Sequence, residues 1–566
     1  MSLDESQLAM LNTLIYQPGF SEAYDCWSET SSDASVSAWD SSPTMRDLLT
    51  HMQDDFSSDA HDEYVSDAEY RTLVDEALAD PQIANLSVSD FTESKRVPSV
   101  APEQNREDYR QTGTNLTLSD GETGDLYIVF KGTEDAAEWQ DNFEGLIETD
   151  TDSQRRAAAY ADLMIDKYGT DDGQVIVSGH SKGGNKAAYT AVTDERVDAC
   201  YSFDGQGFGS NFHQKYATQI AERRDKIFSY NYEGDFVSSL LIPVAGTIVF
   251  TASTQDGEGL GLLNNYARGD ASFLPSNHAP FSLFESSSSL TLRDGGAPKD
   301  YWETINDFTT WVMNNVPERH QSAVVEVLSA AFGGDFLGYI EDHPEEFGVL
   351  VGVLADYPGL EELLRELAGS DLDLTAALGN PITNVGAHLG TNALIALLVQ
   401  LLRNEGTRDV AAEAILDLLG LDVDDEWIAA FGAAGSDVRG AIASGERAQE
   451  AVLIRQTELR DWSDARKQEL LQVVASVDAE PWYDCSTWDV TYRLQDFGAW
   501  LGLWDCERNI DQIIRRQIDL NDVHKADIER AFERAADVDA AYARSVRDMP
   551  AGIRASAELL RGVLRA

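Results

Sequence analysis

The pattern of apolar and polar residues predicts an α/β fold in the first half of the chain. Two apolar runs, "TNLTL" and "LYIVFKG", are joined by the turn-rich "SDGETGD", which predicts a β-hairpin from about residue 114. Further strands are expected at "QVIVSG", "VDACYSF", "KIFSYNY" and "GTIVFTAS". Helical periods over about 154–168, 184–193 and 212–225 separate these strands. Such alternation predicts a mostly parallel sheet with helices on both faces.

The segments on either side of this alternation are different in character. Residues 4–16 place Leu8, Leu11 and Leu14 on one face of a helix. Residues 21–100 hold 18 acidic and four basic residues, which predicts a solvated helical excursion or a partly disordered insertion. Only helical periods remain beyond about residue 300. We therefore expect an α/β domain over 1–310 with an acidic insertion at about 21–100, then helical regions over 311–440 and 441–566.

Composition and charge exclude several classes of partner. The chain has 566 residues, 43% of them hydrophobic, and a formal net charge of −57. Such a surface repels nucleic-acid phosphates and anionic lipid headgroups, so we expect no nucleic-acid partner. No basic, cleavable leader opens the chain and no apolar run approaches the roughly 18 residues of a membrane span. We expect a cytoplasmic protein without a transmembrane segment.

The cysteines give no sign of a metal site. Cys26, Cys200, Cys485 and Cys506 form no CxxC pair and show no zinc-ligand spacing. Cys200 lies in an apolar strand-like run, where a reduced, buried thiol is expected. Cys485 and Cys506 flank a Trp-rich segment and are near enough in sequence to meet, but nothing requires a disulfide. We expect neither a metal nor a cofactor.

The segment "VIVSGHSKGG" has the pattern of a nucleophile displayed on a sharp turn. A serine between a strand and a helix needs glycine two residues away on each side, because the backbone passes too close for side chains. Gly179 and Gly183 meet this requirement around Ser181. The N-terminus of the following helix favours negative charge that develops at the serine. Ser181 is therefore the candidate nucleophile.

A serine nucleophile of this kind needs a histidine base that comes later in the chain. His213 is expected near the start of an amphipathic helix, where a surface role is favoured. His278 follows "ASFLPSN" in a loop after the last predicted strand, from which it can reach the carboxyl edge of the sheet. His278 is the candidate base.

Three carboxylates compete as the partner that orients the histidine. Asp235 and Glu233 both follow the strand "KIFSYNY", and Asp204 ends the strand before it. Asp235 is our choice, since it stands just past a strand end and directly before the apolar Phe236. Asp204 is the alternative.

Two backbone N–H groups are needed to stabilise an oxyanion at this site. One is expected from Lys182, directly after the nucleophile. The other is expected from Thr133, which follows Gly132 in the loop after "LYIVF". Taken alone, that stretch is equally well an ordinary exit from a strand.

Five segments together carry a family resemblance: "IVFKGTEDAAEWQDNF", "VIVSGHSKGGNKAA", "YSFDGQGF", "YNYEGDFV" and "SNHAPFSLF". They resemble the lipase class 3 branch of the α/β-hydrolases, and within it the bacterial Mbeg-like proteins. The resemblance implies an α/β-hydrolase fold and a role in the oxyanion hole for Thr133 in the motif Phe130–Thr133. Lys131 stands where arginine is usual in that motif. It also implies a Ser181–His278–Asp235 triad, and it covers residues 1 to about 20 and 114 to about 290.

The pattern and the resemblance predict a serine hydrolase that cleaves a lipid or other small-molecule carboxylic ester through an acyl-enzyme. The alternative is a helical interaction protein, or one associated with secretion, in which the hydrolase unit is accessory or non-catalytic. Trp500-Leu501-Gly502 is similar to the turn of small helical-hairpin secretion substrates, a motif that arises easily by chance. Under this alternative the C-terminal helical region binds a protein partner.

Overall fold

The computed structural model describes residues 2–33, 42–54, 59–93, 113–133, 136–252, 278–286, 289–293, 295–333, 336–368, 399–404 and 423–447. The chain divides into two compact units, Met1–Arg439 and Gly440–Ala566. The predictions for Cys485, Cys506 and Trp500-Leu501-Gly502 lie outside the described residues. The boundaries proposed at 310 and 440 stay predictions.

A seven-stranded sheet forms the centre of the first unit, with its strands in chain order. The strands are β1 (Ser87–Thr92), β2 (Asn115–Ser119), β3 (Leu126–Phe130), β4 (Val175–His180), β5 (Ala199–Phe203), β6 (Ile227–Tyr232) and β7 (Thr247–Thr251). β1, β2 and β3 pair antiparallel, and the pairs from β3 to β7 are parallel. The predicted hairpin and the predicted mostly parallel sheet are confirmed; β1, inside the acidic segment, was not foreseen.

Apolar side chains cover both faces of this sheet. Along β3, Leu126, Ile128 and Phe130 belong to the core on one face, and Tyr127 and Val129 to the core on the other. Side chains of a strand alternate between faces, so a strand that is buried on both sides reads as a continuous apolar run. The centre of the sheet at β3 is therefore covered on both faces.

Two layers of helices cover the faces. One layer holds α1 (Glu5–Leu14), α2 (Pro18–Asp33), α3 (Met45–Asp54), α4 (Asp59–Ser66), α5 (Ala68–Ala79) and α6 (Pro81–Ala84). Between β3 and β7 lie α7 (Ala136–Glu144), α8 (Asp152–Tyr168), α9 (Lys182–Thr193), α10 (Ser210–Lys215) and α11 (Ala217–Arg223). The helix predicted over 212–225 is thus two short helices. Asp4 caps α1: its carboxylate accepts from the Gln7 N–H at 2.9 Å, and the Gln7 side chain accepts from the Asp4 N–H.

The acidic segment at 21–100 is helical, as expected, but it is not simply solvated. Met45, Leu48, Leu49 and Met52 of α3 are all fully buried in the same core as α1. Positions spaced by three and four residues form one face of a helix, so the acidic residues occupy the other face. The expectation that the described part of this segment is a solvated excursion is therefore wrong for its buried face.

A helical part follows the sheet. It contains a short hairpin of β8 (Phe284–Ser286) and β9 (Ser289–Leu292), and then α12 (Asp300–Asn315), α13 (Glu318–Gly333), α14 (Phe336–Asp342), α15 (Pro344–Asp356), α16 (Leu360–Ala368) and α17 (Asp425–Ser444). The boundary proposed at 310 falls inside α12. Within the part of the chain described here, no helix is both long and apolar enough to cross a bilayer.

Candidate active site

Ser181 lies on a strained turn between β4 and α9. Its φ is 60° and its ψ is −128°, a backbone conformation that is costly for any residue other than glycine. A Cβ on Gly179 would lie 2.0 Å from the Gly183 backbone, and one on Gly183 would lie 2.0 Å from the Phe130 carbonyl oxygen. The two glycines therefore let β3, β4 and the start of α9 meet at the serine.

His278 connects Ser181 to Asp235. Its Nε2 is 2.8 Å from the Ser181 Oγ, and its Nδ1 is 2.6 Å from Oδ1 of Asp235. Ser181 is 4% exposed and Asp235 is fully buried. Asp235 follows the end of β6, and His278 precedes a 3₁₀ turn at Pro280–Leu283. The three residues, far apart in sequence, thus form one continuous chain of contacts at the carboxyl edge of the sheet.

The other candidates for the base and for its carboxylate partner make different contacts. Glu233 pairs with Lys299 at 3.1 Å, and His213 contacts the Ile242 carbonyl oxygen at 3.0 Å. Asp204 accepts a hydrogen bond from the Tyr232 N–H at 2.6 Å and lies 3.8 Å from His180, whereas the carboxylate hydrogen-bonded to His278 is that of Asp235. Asp235 is therefore the carboxylate that contacts His278.

Asp204 and His180 form a second buried carboxylate–imidazole pair, next to the pair of Asp235 and His278. Asp204 Oδ2 lies 3.8 Å from Nε2 of His180, and neither atom has a hydrogen-bond partner among the residues that the structure describes. Burial and the neighbouring charge of Asp235 raise the pKa of Asp204 well above its usual range. Burial, reinforced by His278, lowers the pKa of His180 well below its usual range. Burial therefore favours the uncharged form of both groups.

The loop after β3 passes directly over the nucleophile. A Cβ on Gly132 would lie 3.0 Å from the Ser181 Cβ and 2.7 Å from the His180 carbonyl oxygen. Thr133 follows in that loop, and its hydroxyl accepts a hydrogen bond from Asn142 at 2.9 Å. The N–H of Lys182 is the first of α9, and such N–H groups have no partner within their own helix. Lys182 thus follows Ser181 directly, and Thr133 follows the glycine that packs against it.

A buried ion pair fixes the side chain of Lys182. Its Nζ lies 2.6 Å from Oδ2 of Asp141, and the Lys182 residue is 0% exposed. Asp141 also accepts from the hydroxyls of Thr151 and Ser153 at 2.7 and 2.6 Å. Burial would raise the pKa of Asp141, but the Lys182 ammonium and these hydrogen bonds hold it well below its usual range. The consecutive residues Asp141 and Asn142 of α7 therefore hold Lys182 and Thr133.

Tyr16 is a further residue at the site that the sequence did not indicate. Its hydroxyl accepts from the Gly132 N–H at 2.9 Å and donates to the His180 carbonyl oxygen at 3.2 Å. It therefore ties the loop after β3 to the end of β4. Tyr16 follows the leading helix and Asp141 lies in the quoted "EWQDNF", but neither position carries a local pattern that reveals these contacts.

One group of side chains has the composition of a metal site. His180, Asp204 and His278 each place one possible ligand atom within 4.8 Å of those of the other two. Ligands of a tetrahedral zinc ion are closer, about 3.4 Å apart for bonds of about 2.1 Å. Both ring nitrogens of His278 already contact Ser181 and Asp235. A metal there would compete with those contacts, and we assign no metal to the group.

Comparison with known proteins gives one match. A family model described as Mbeg1-like matches residues 81–254. This range includes Ser181 and Asp235 but ends before His278. No curated protein and no solved structure matches the chain.

Proposed function

We propose that the protein is a serine hydrolase of the α/β-hydrolase class that cleaves carboxylic esters. Ser181 is the nucleophile, His278 the base and Asp235 the residue that orients the base. The observation that carries this proposal is the continuous contact from Ser181 Oγ through both nitrogens of His278 to Asp235. The Mbeg1-like match is compatible with it, as is the resemblance of the sequence motifs to lipase class 3 proteins.

The geometry permits a complete acyl-transfer cycle. His278 takes the proton of Ser181 as the Oγ attacks the ester carbonyl carbon, and Asp235 stabilises the resulting imidazolium. The N–H groups of Lys182 and Thr133 stabilise the oxyanion. The C–O bond to the alcohol then breaks, and the alcohol leaves with the proton from His278. Water, deprotonated by His278, attacks the acyl-enzyme, which releases the carboxylic acid and restores Ser181.

The charge of the chain limits the substrates. With a net charge of −57, the protein repels anionic surfaces, so a neutral ester in solution fits better than an ester in an anionic bilayer. The proposed substrate class is therefore a small-molecule or lipid ester that carries no negative charge.

Hydrolysis of p-nitrophenyl acetate, butyrate, octanoate and palmitate tests the proposal. We expect the wild-type protein to hydrolyse at least one of these esters with saturation kinetics, and Ser181→Ala to lose that activity. Circular dichroism of both proteins provides the control for folding. A folded wild-type protein that hydrolyses none of the esters faster than Ser181→Ala would overturn the proposal.

A further inference from the structure

We propose that Asn306, on α12 of the helical part, is a positioning residue for the loop that carries Asp235. The inference rests on the proposed function and deepens it, because it assigns part of the active-site support to a helix outside the sheet. It also gives the helical part, which lies beyond the Mbeg1-like match, a role in the reaction.

The side chain of Asn306 contacts the backbone of this loop. Its Nδ2 donates to the carbonyl oxygens of Ser239 at 3.0 Å and of Leu241 at 2.7 Å. Both hydrogens of the amide therefore point to the loop. An apolar side chain of similar volume would fill the same space but would supply neither donor.

The residue that Asn306 holds is strained. Leu241 has a φ of 68°, in the left-handed region that is rare for residues with a large side chain. Its N–H donates to the Thr309 hydroxyl at 3.3 Å, and its carbonyl oxygen accepts from Asn306. A strained conformation persists only where surrounding contacts hold it. Helix α12 supplies these contacts on both sides of the Leu241 backbone.

The same helix contacts the loop on both sides of Asp235. Before it, the Tyr301 hydroxyl donates to the Gly234 carbonyl oxygen. After it, Nε1 of Trp302 donates to the Ser238 hydroxyl at 3.1 Å. The Ser238 N–H in turn donates to Oδ2 of Asp235 at 2.7 Å.

The carboxylate of Asp235 is thus shared between two partners. Oδ2 is fixed by the loop, and Oδ1 is left to contact His278 at 2.6 Å. If the loop moves, Oδ2 moves with it, and the contact between Oδ1 and His278 lengthens. Misplacement of a catalytic group by about 1 Å can slow a reaction about a hundredfold. Asn306 therefore acts through Asp235 and not on the substrate.

The test compares two asparagines of the same helix. Asn306→Ala removes the two hydrogen bonds to the loop. Asn315→Ala, the matched control, removes a half-buried amide whose hydrogen bond goes to the Trp311 carbonyl oxygen of its own helix. The probe is a fluorophosphonate, and the measurement is its second-order rate of reaction with each folded protein. We expect Asn306→Ala to react about tenfold to a hundredfold more slowly than wild type, and Asn315→Ala to react at the wild-type rate.

A second measurement does not depend on activity. A proton shared by His278 Nδ1 and Asp235 gives a resonance far downfield in the proton NMR spectrum. We expect this resonance in the wild type and in Asn315→Ala, and its loss or upfield shift in Asn306→Ala. If Asn306→Ala fails to fold, Asn306→Ser replaces it, since a serine at 306 keeps a polar side chain but cannot donate to both carbonyl oxygens.

The outcomes separate the two proposals. A folded wild-type protein that does not react with the probe overturns the proposed function, and the resonance still tests the role of Asn306. A reactive wild type with unchanged rate and resonance in Asn306→Ala overturns the positioning role alone. Equal slowing of Asn306→Ala and Asn315→Ala would show a general effect on the helix and would also overturn it.

Discussion

Oδ1 of Asp235 lies 2.6 Å from Nδ1 of His278, whereas Asp204, also fully buried, contacts the backbone of Tyr232 and has no contact with that ring nitrogen. Both aspartates follow strand ends and both fit the sequence pattern. Asp204 has a φ of 47°, which turns the chain away after β5. The two carboxylates therefore make different contacts, and the same substitution at each position tests whether they differ in function.

Asp235→Asn should lower activity strongly, whereas Asp204→Asn should leave it almost unchanged. Asn at 235 replaces the carboxylate that orients His278, and we expect a loss of about 10⁴-fold in kcat. Asn at 204 resembles the protonated acid and keeps the oxygen that accepts from Tyr232, so its kcat should stay close to wild type. Ester hydrolysis by the two purified variants makes the comparison. A larger loss of kcat for Asp204→Asn than for Asp235→Asn would indicate that Asp204, not Asp235, is the carboxylate that supports His278.

Asp204→Asn should also change how stability depends on pH. The pKa of Asp204 is raised by burial and by Asp235, so the folded state keeps a proton that the unfolded chain releases above about pH 3.9. The wild type therefore loses stability as the pH rises from there towards the folded-state pKa, by at most about 1.4 kcal/mol per pH unit. Asparagine does not titrate, so the stability of the variant relative to wild type should increase as the pH rises above about 4. Urea unfolding at several pH values measures this, and a difference that is constant or shrinks with pH would refute it.

The glycines around Ser181 should not tolerate alanine. A methyl group on Gly179 or Gly183 would meet backbone atoms at 2.0 Å, and backbone cannot move aside as a flexible side chain can. We expect Gly179→Ala and Gly183→Ala to give little folded protein or folded protein without activity. Gly121→Ala is the control, because a Cβ there has no atom within 4 Å, and its stability should stay within about 0.5 kcal/mol of wild type. Thermal melts and soluble yield measure both; an active, stable Gly183→Ala would contradict the close approach of β3 and α9.

The two halves of the Asp141–Lys182 ion pair should differ in their contribution to stability. Asp141→Asn leaves the buried ammonium of Lys182 without a negatively charged partner, and we expect a loss of about 3–5 kcal/mol in the free energy of unfolding. Lys182→Met leaves Asp141 with its donors from Thr151 and Ser153, so the loss should be smaller. Urea denaturation of both variants gives the order. A greater loss of stability for Lys182→Met would show that the hydrogen bonds from Thr151 and Ser153 do not stabilise the Asp141 carboxylate without Lys182.

Local steric rules and strand periodicity were enough to predict the sheet from β2 to β7 and the turn at Ser181. The composition of residues 21–100, taken as a whole, does not reveal the buried face of the acidic segment. The positions of Met45, Leu48, Leu49 and Met52 do show a helical period, although acidic residues surround them.

Contacts between residues far apart in sequence could not be predicted from local steric rules or from hydrophobic periodicity. Asn306 lies more than sixty residues beyond Ser239 and Leu241, and nothing in its local sequence indicates that its amide faces their carbonyl oxygens. The same holds for Tyr16, which follows α1 and contacts Gly132, more than a hundred residues later in the chain. Such residues depend on how helices dock on the sheet, which local patterns do not encode.

The central claim is that Ser181 is an activated nucleophile, and reaction with a fluorophosphonate tests it most directly because no knowledge of the substrate is needed. The label should be found by mass spectrometry on the peptide that contains Ser181 in the wild-type protein. Ser181→Ala should carry no label. A folded wild-type protein that stays unlabelled, or equal labelling of Ser181→Ala, would contradict the account.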